Sequence, residues 1–193
     1  MTLLVLGLVL FLGAHSVRIV GEGWRAAMIA RLGAQGWKSM FSLASAAGLV
    51  LIVIGFGLAR ATPTLLWVPP VWTRHLAALL NLAALVMIVA AYVPGNMIRA
   101  RLMGHPMILG VKVWAFAHLI SNQMLAEFVL FGAFLVWAVL AFRAARSRDR
   151  AAGVSPPPGR LGPTVETVLI GAALWALIAF WAHGVVIGVR PFG

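Results

Sequence analysis

The chain has 193 residues, of which 63% are apolar and only 10% charged, with a net charge of +11 and a mean hydropathy of +1.02. So few polar groups cannot coat a water-soluble domain of this length, which makes this an integral membrane protein. It has no cysteine, and that excludes a disulfide framework, a thiolate nucleophile and any thiolate-ligated metal site.

A membrane helix needs roughly 17 to 25 apolar residues to cross about 30 Å of hydrocarbon. In chain order, runs of that kind extend over Thr2 to Val20, Lys38 to Leu58, Trp72 to Val93, His105 to Ile120, Met124 to Phe142 and Val165 to Val186. The expected fold is therefore all-α, a polytopic bundle of six transmembrane helices forming a single membrane domain over residues 1–193. The first run lacks a basic leader and a small-residue cleavage site, so it reads as a retained helix rather than a signal peptide. Between the first two runs, Trp24, Ala27, Met28 and Leu32 recur at helical spacing while Arg25 and Arg31 take other faces, the pattern of a short interfacial helix. The fourth and fifth runs are separated only by Ser121 to Gln123 and should form a tight antiparallel hairpin. Folding about Asn122 brings Lys112 and Glu127 within reach of an ion pair. Residues 143–163, with repeated arginines, a proline triplet and glycines, read as a flexible cytoplasmic linker before the last helix.

Lys and Arg accumulate in cytoplasmic loops. One side of the membrane receives Arg18, Arg25, Arg31, Lys38, Arg99, Arg101, Arg143, Arg146, Arg148, Arg150 and Arg160, and the other only Arg60, Arg74 and Arg190. Both termini should therefore be non-cytoplasmic. Because the basic residues are shared among topogenic loops rather than clustered on one face, the positive charge does not point to nucleic acid.

Ionisable groups inside a membrane span cost free energy and are ligands, relays or groups satisfied by neighbouring helices. His15 falls late in the first span and is either hydrogen-bonded to a neighbouring helix or an axial ligand. His118 lies inside the fourth span with Trp114 and Asn122 one turn away on the same face. His105, followed by Pro106, suits the start of a helix. His75 and His183, near Trp72 and Trp181, read as half-exposed interfacial groups. At about 1.5 Å per residue, His15 and His118 differ by about 10 Å in depth.

The elements His105-Pro106-Met107, Gly110, Trp114-Ala115 and Ala117-His118-Leu119 with Asn122 resemble the central motif of the NnrU family of bacterial membrane proteins, and Ala14-His15-Ser16 fits it too. The resemblance implies a place in a bacterial inner membrane and a link to nitric oxide and nitrite metabolism in denitrifying bacteria. It also implies a relation to the 15-cis-ζ-carotene isomerase, a membrane enzyme that uses haem b. Carried over on that basis, His15 and His118 match positions proposed as haem ligands, and His105 matches a third histidine of the motif.

The expectation is a b-type haem between the first and fourth helices, metal-bound by His15 and His118. It would carry electrons, bind nitric oxide or isomerise a lipophilic polyene. Two other classes stand beside it. One is a cofactor-free helper that assembles a nitrogen-oxide reductase. The other is a membrane methyltransferase of the isoprenylcysteine type, although Gly104 precedes His105 where those enzymes carry arginine before His-Pro.

Overall fold

The computed structural model describes residues 1–192 and is helical, with isolated bridges in place of strands among those residues. Gly193, the end of the expected domain, lies outside them. The helices are α1 (Thr2–Val20), α2 (Glu22–Ala61), α3 (Trp72–Ala90), the short α4 (Met97–Arg101), α5 (Pro106–Ser121), α6 (Leu125–Ala151) and α7 (Leu161–Ile187). Five of them, α1, α2, α3, α6 and α7, are long and apolar enough to cross a membrane. The apolar α5 has 16 residues, about 24 Å of helix, short of a full hydrocarbon core.

At 40 residues, about 60 Å, α2 is twice the length a bilayer needs, and it breaks at Gly33. That residue has φ 73° and ψ 165°, a conformation open to glycine and strained for any residue with a Cβ. Residues 22–32 therefore form a separate short helix, as their spacing suggests. Glu22 pairs with Arg25 at 2.8 Å and Arg18 at 3.6 Å across the bend from α1. Trp24 meets Trp37 edge-on at 5.8 Å across the break.

In space the helices form a row that departs from chain order: α2 packs on α1, α1 on α6, α6 on α5, α5 on α3 and α3 on α7. Small residues set the spacing, as expected where dispersion rather than hydrophobicity drives association. A Cβ on Gly110 would lie 2.8 Å from the Ala84 carbonyl oxygen, and one on Gly171 2.7 Å from Val86 Cα, so α5 and α7 both lie close against α3. The best-buried apolar cluster, Leu4, Leu8, Ile52, Ala59, Ala126, Leu130 and Phe131, joins α1, α2 and α6.

The row has a hairpin end, named for the α5–α6 turn, and a basic end. At the hairpin end the chain between α2 and α3 lies against the turn: Leu66 N donates to Gln123 O (2.9 Å), Leu125 N to Thr64 O (2.9 Å) and Trp67 Nε1 to Asn122 O (2.8 Å). Glu127 does not pair with Lys112. Its carboxylate accepts the backbone N–H groups of Gln123 (3.0 Å) and Met124 (2.9 Å), capping its own helix. A carboxylate in the first turn faces free N–H donors at once, whereas Lys112 sits deeper along α5.

At the basic end, residues 143–151 of the stretch expected as a linker over 143–163 are helical, and residues 152–160 connect α6 to α7. Arginine and alanine are strong helix formers, so α6 continues to Ala151 past the apolar part that ends at Phe142. Arg148 Nη1 then reaches Arg18 O at 2.8 Å. The connection beyond docks on α4, where Arg160 N donates to Gly95 O at 2.8 Å. Buried Asn96 caps α4, its Oδ1 accepting Arg99 N at 2.7 Å.

Candidate functional site

α3, α5, α7 and the tail after α7 line a half-open cavity of about 310 Å³ at the hairpin end. That volume lies within the range of about 300–1,000 Å³ usual for small-molecule and cofactor sites. Apolar walls come from Ala77, Leu85, Trp114 and Trp175, and polar groups from Arg74, Asn81, His118, His183 and Arg190.

Each wall has a local cause. On α5, Trp114, His118 and Ser121 share one stripe by the three- and four-residue rule. On α7, Trp175 Nε1 donates to Ala78 O at 3.0 Å and pins the helix to α3. The same helix contains a π-turn at Ile178–Ala182. Eight residues of regular α-helix would rotate His183 about 80° away from Trp175, and the wider turn recovers that angle. Trp175, Ala179 and His183 thus line the same cavity. Gly188, at φ 77°, reverses the chain, and His183 Nδ1 donates to Val189 O at 2.6 Å. The returning tail stacks Phe192 on Phe180 at 5.2 Å and lays Arg190 Cγ 3.2 Å from where a Gly184 Cβ would stand.

His118 is held firmly. Its Nδ1 lies 2.8 Å from Trp114 O and its ring stacks on Phe131 at 4.3 Å. A carbonyl only accepts, so Nδ1 carries the proton and, in the neutral ring, Nε2 keeps the lone pair that a metal would use.

His15 uses the same device. Nδ1 lies 2.7 Å from Phe11 O, and the ring stacks on Phe11 at 4.3 Å with Phe41 at 5.0 Å and Trp137 at 6.0 Å. It is surrounded by α1, α2 and α6, however, and does not line the cavity. Phe134 stands between the two histidine shells, 5.8 Å from Phe11 and 5.5 Å from Trp114. Trp137 beside His15 and Phe131 beside His118 are six residues apart on α6, about 9 Å, in keeping with the depth difference expected from the sequence. Both histidine shells therefore reach one face of α6, where Phe131, Phe134 and Trp137 follow at three-residue spacing.

His105 is at the basic end, with Nε2 donating to Asp149 Oδ2 at 2.7 Å. It ties the start of α5 to the end of α6 and stands roughly 20 Å from His118 along α5. That hydrogen bond, helped by Arg146, holds the Asp149 carboxyl below the usual carboxylate range, against a smaller opposing effect of burial. His75 is exposed at the start of α3.

The sequence alone does not single out Arg74, His183 or Arg190 as site residues. A usable signal exists for two of them: Arg74 and Arg190 are among only three arginines on the side that is poor in positive charge. His183 has none, because nothing in the sequence announces a π-turn. Chemically, the cavity offers two imidazoles with free Nε2 atoms, two guanidiniums and aromatic walls.

Neither the curated proteins nor the solved structures include a match to this chain. One family profile, described as NnrU protein, matches residues 3–191. With nearly the whole chain matched, this protein belongs to the NnrU family.

Proposed function

We propose that this chain is a b-type haem protein of the bacterial inner membrane. Six helices cross the bilayer as one domain, with both termini non-cytoplasmic and α5 as the short sixth span. The reading rests on one observation: His118, fixed by the Trp114 carbonyl and Phe131, presents a lone-pair nitrogen beside an apolar cavity of cofactor size. The donor set suits haem, since imidazole is a common axial ligand and guanidinium groups suit carboxylates. When bound, such a group supplies one-electron redox chemistry and a place for a diatomic ligand. The protein's part is to orient His118, to keep water out with Trp114 and Trp175, and to admit a small or lipophilic molecule from the bilayer. Nitric oxide or nitrite metabolism, or redox or isomerase chemistry on a lipophilic substrate, is the activity this supports.

The test is the absorption spectrum of the detergent-purified protein, oxidised and dithionite-reduced, with a pyridine haemochrome assay. A near-stoichiometric b-type signal that His118→Ala removes is expected. A colourless preparation that refuses added haemin overturns the proposal and leaves a cofactor-free helper of a nitrogen-oxide reductase as the better reading.

A further inference from the structure

Positive charge is scarce at the hairpin end, and what there is converges on one cavity. Of the 15 basic residues only Arg60, Arg74 and Arg190 fall at that end. Arg60 Nη1 is spent on Ile187 O at 2.9 Å. Arg74, in the first turn of α3, and Arg190, in the folded-back tail, are distant in sequence and line the same cavity. Measured from the bond between Trp175 Nε1 and Ala78 O, Arg74 stands about 6 Å and Gly184 about 13 Å further toward the hairpin end, and Arg190 Cγ lies beside Gly184. Arginine side chains are long enough to cover that difference, so both guanidiniums belong to the outer rim.

The chain's own acids do not balance these two groups. It has four acidic residues. Glu22, Asp149 and Glu166 belong to the basic end, and Glu127 gives its carboxylate to the N–H groups of Gln123 and Met124. No Asp or Glu lines the cavity, and neither guanidinium has an acidic partner among the described residues. Asn81, Ser121 and Trp175, which also line it, donate to the backbone carbonyls of Ala77 (2.9 Å), Ala117 (2.9 Å) and Ala78 (3.0 Å). Further in, the walls are apolar, with Leu85, Trp114 and Trp175. α5 and α7 both pack on α3 rather than on each other, so the cavity is a cleft with α3 as its floor, open on the far side, which in a row of membrane helices is the side of the bilayer.

We infer that this cleft selects a lipophilic molecule by its carboxylate: an apolar body lies between Trp114 and Trp175, and an anionic head sits at the rim with Arg74 and Arg190, whose planar forks match carboxylate oxygens. A volume of about 310 Å³, at the lower end of the usual range, suits a single apolar body better than the paired chains of a phospholipid. Haem and a fatty acid of the surrounding leaflet both have the required form. Either source satisfies the geometry, so the binding chemistry stands apart from the haem reading.

The experiment is photolabelling of the purified full-length protein in detergent with a diazirine derivative of palmitic acid, mapped by peptide mass spectrometry. Saturable labelling of the peptides that carry Ala77 to Leu85, Trp114 and Trp175 is expected, competed by palmitate and not by methyl palmitate or phosphatidylglycerol. Arg74→Gln and Arg190→Gln should each weaken it about tenfold, the value of one charged hydrogen bond. Arg31→Gln, at an exposed arginine of the basic end, should leave it unchanged. Circular dichroism checks that the variants fold, and the comparison of palmitate with its ester needs no variant. Equal competition by the ester, labelling that does not saturate or spreads over every helix, or unchanged labelling in both arginine variants overturns the inference. Competition by phosphatidylglycerol as strong as that by palmitate assigns the rim to lipid phosphates and overturns it as well. Haemin distinguishes the sources: labelling lost at stoichiometric haemin means that the cleft takes haem, and labelling kept means that it takes fatty acid, with carboxylate selection upheld in both. A protein that takes up no haemin yet is labelled as expected overturns the haem reading alone.

Discussion

Glu127 shows how a single carboxylate chooses between a charge partner and a backbone. An ion pair with Lys112 would have required two long side chains to be held together inside an apolar environment. Two free N–H groups at the start of α6 were nearer, and the carboxylate accepts both, from Gln123 and Met124. Glu127→Ala should therefore destabilise the protein by about 1–2 kcal/mol, the scale of a lost helix cap, while Glu127→Gln keeps most of that stability through its amide oxygen. Lys112→Met should leave stability unchanged. Thermal unfolding in detergent measures all three, and an equal loss in Lys112→Met would reinstate the ion pair. His105 behaves in the same local way. Its Nε2 is committed to Asp149, so a histidine that the family motif singles out acts at the basic end as a tie between α5 and α6.

At the scale of the element, helix positions were legible because composition and length report them directly, and the break at Gly33 has its origin in a glycine with φ 73°. What was not legible is which helix packs on which. Neighbours in the row are set by small residues such as Gly110 and Gly171 against α3, and in a chain with 20 glycines the motif that contains Gly110 does not say what it packs on, while nothing marks Gly171. The candidate site depended on that order. Among the cavity residues His118 was legible and His183 was not, because a π-turn re-aims α7. The claim about packing is testable. A larger side chain at position 110 must push α5 off α3 and open the cavity wall, so Gly110→Leu should cost about 1–3 kcal/mol, the usual range for overpacking. At Gly132 an added Cβ would meet nothing within 4 Å, and Gly132→Leu should be close to neutral. Melting temperatures of the two variants in the same detergent compare them, and an equal effect would mean that α5 and α3 are not in close contact.

For the whole molecule, the open question is which way the cavity faces. The fold gathers the ends of α1 and α6, the start of α2 and the short α4 at the basic end, where Arg148 reaches Arg18 O and Arg160 N reaches Gly95 O. The charge asymmetry therefore belongs to one physical end of the bundle and not merely to alternate loops. If positive charge stays in the cytoplasm, the hairpin end with Arg74, His118, His183 and Arg190 faces the other side, and any group bound there is reached from outside the cytoplasm or from the adjacent leaflet. A chain without cysteine makes the test clean, because any introduced thiol is the only one present. Thr62→Cys and Ser155→Cys place an exposed thiol at the hairpin end and the basic end respectively. A membrane-impermeant maleimide should label Thr62→Cys in intact spheroplasts and Ser155→Cys only after permeabilisation. The reverse pattern would turn the molecule over and open the cavity to the cytoplasm, so that any group bound there would be reached from that side.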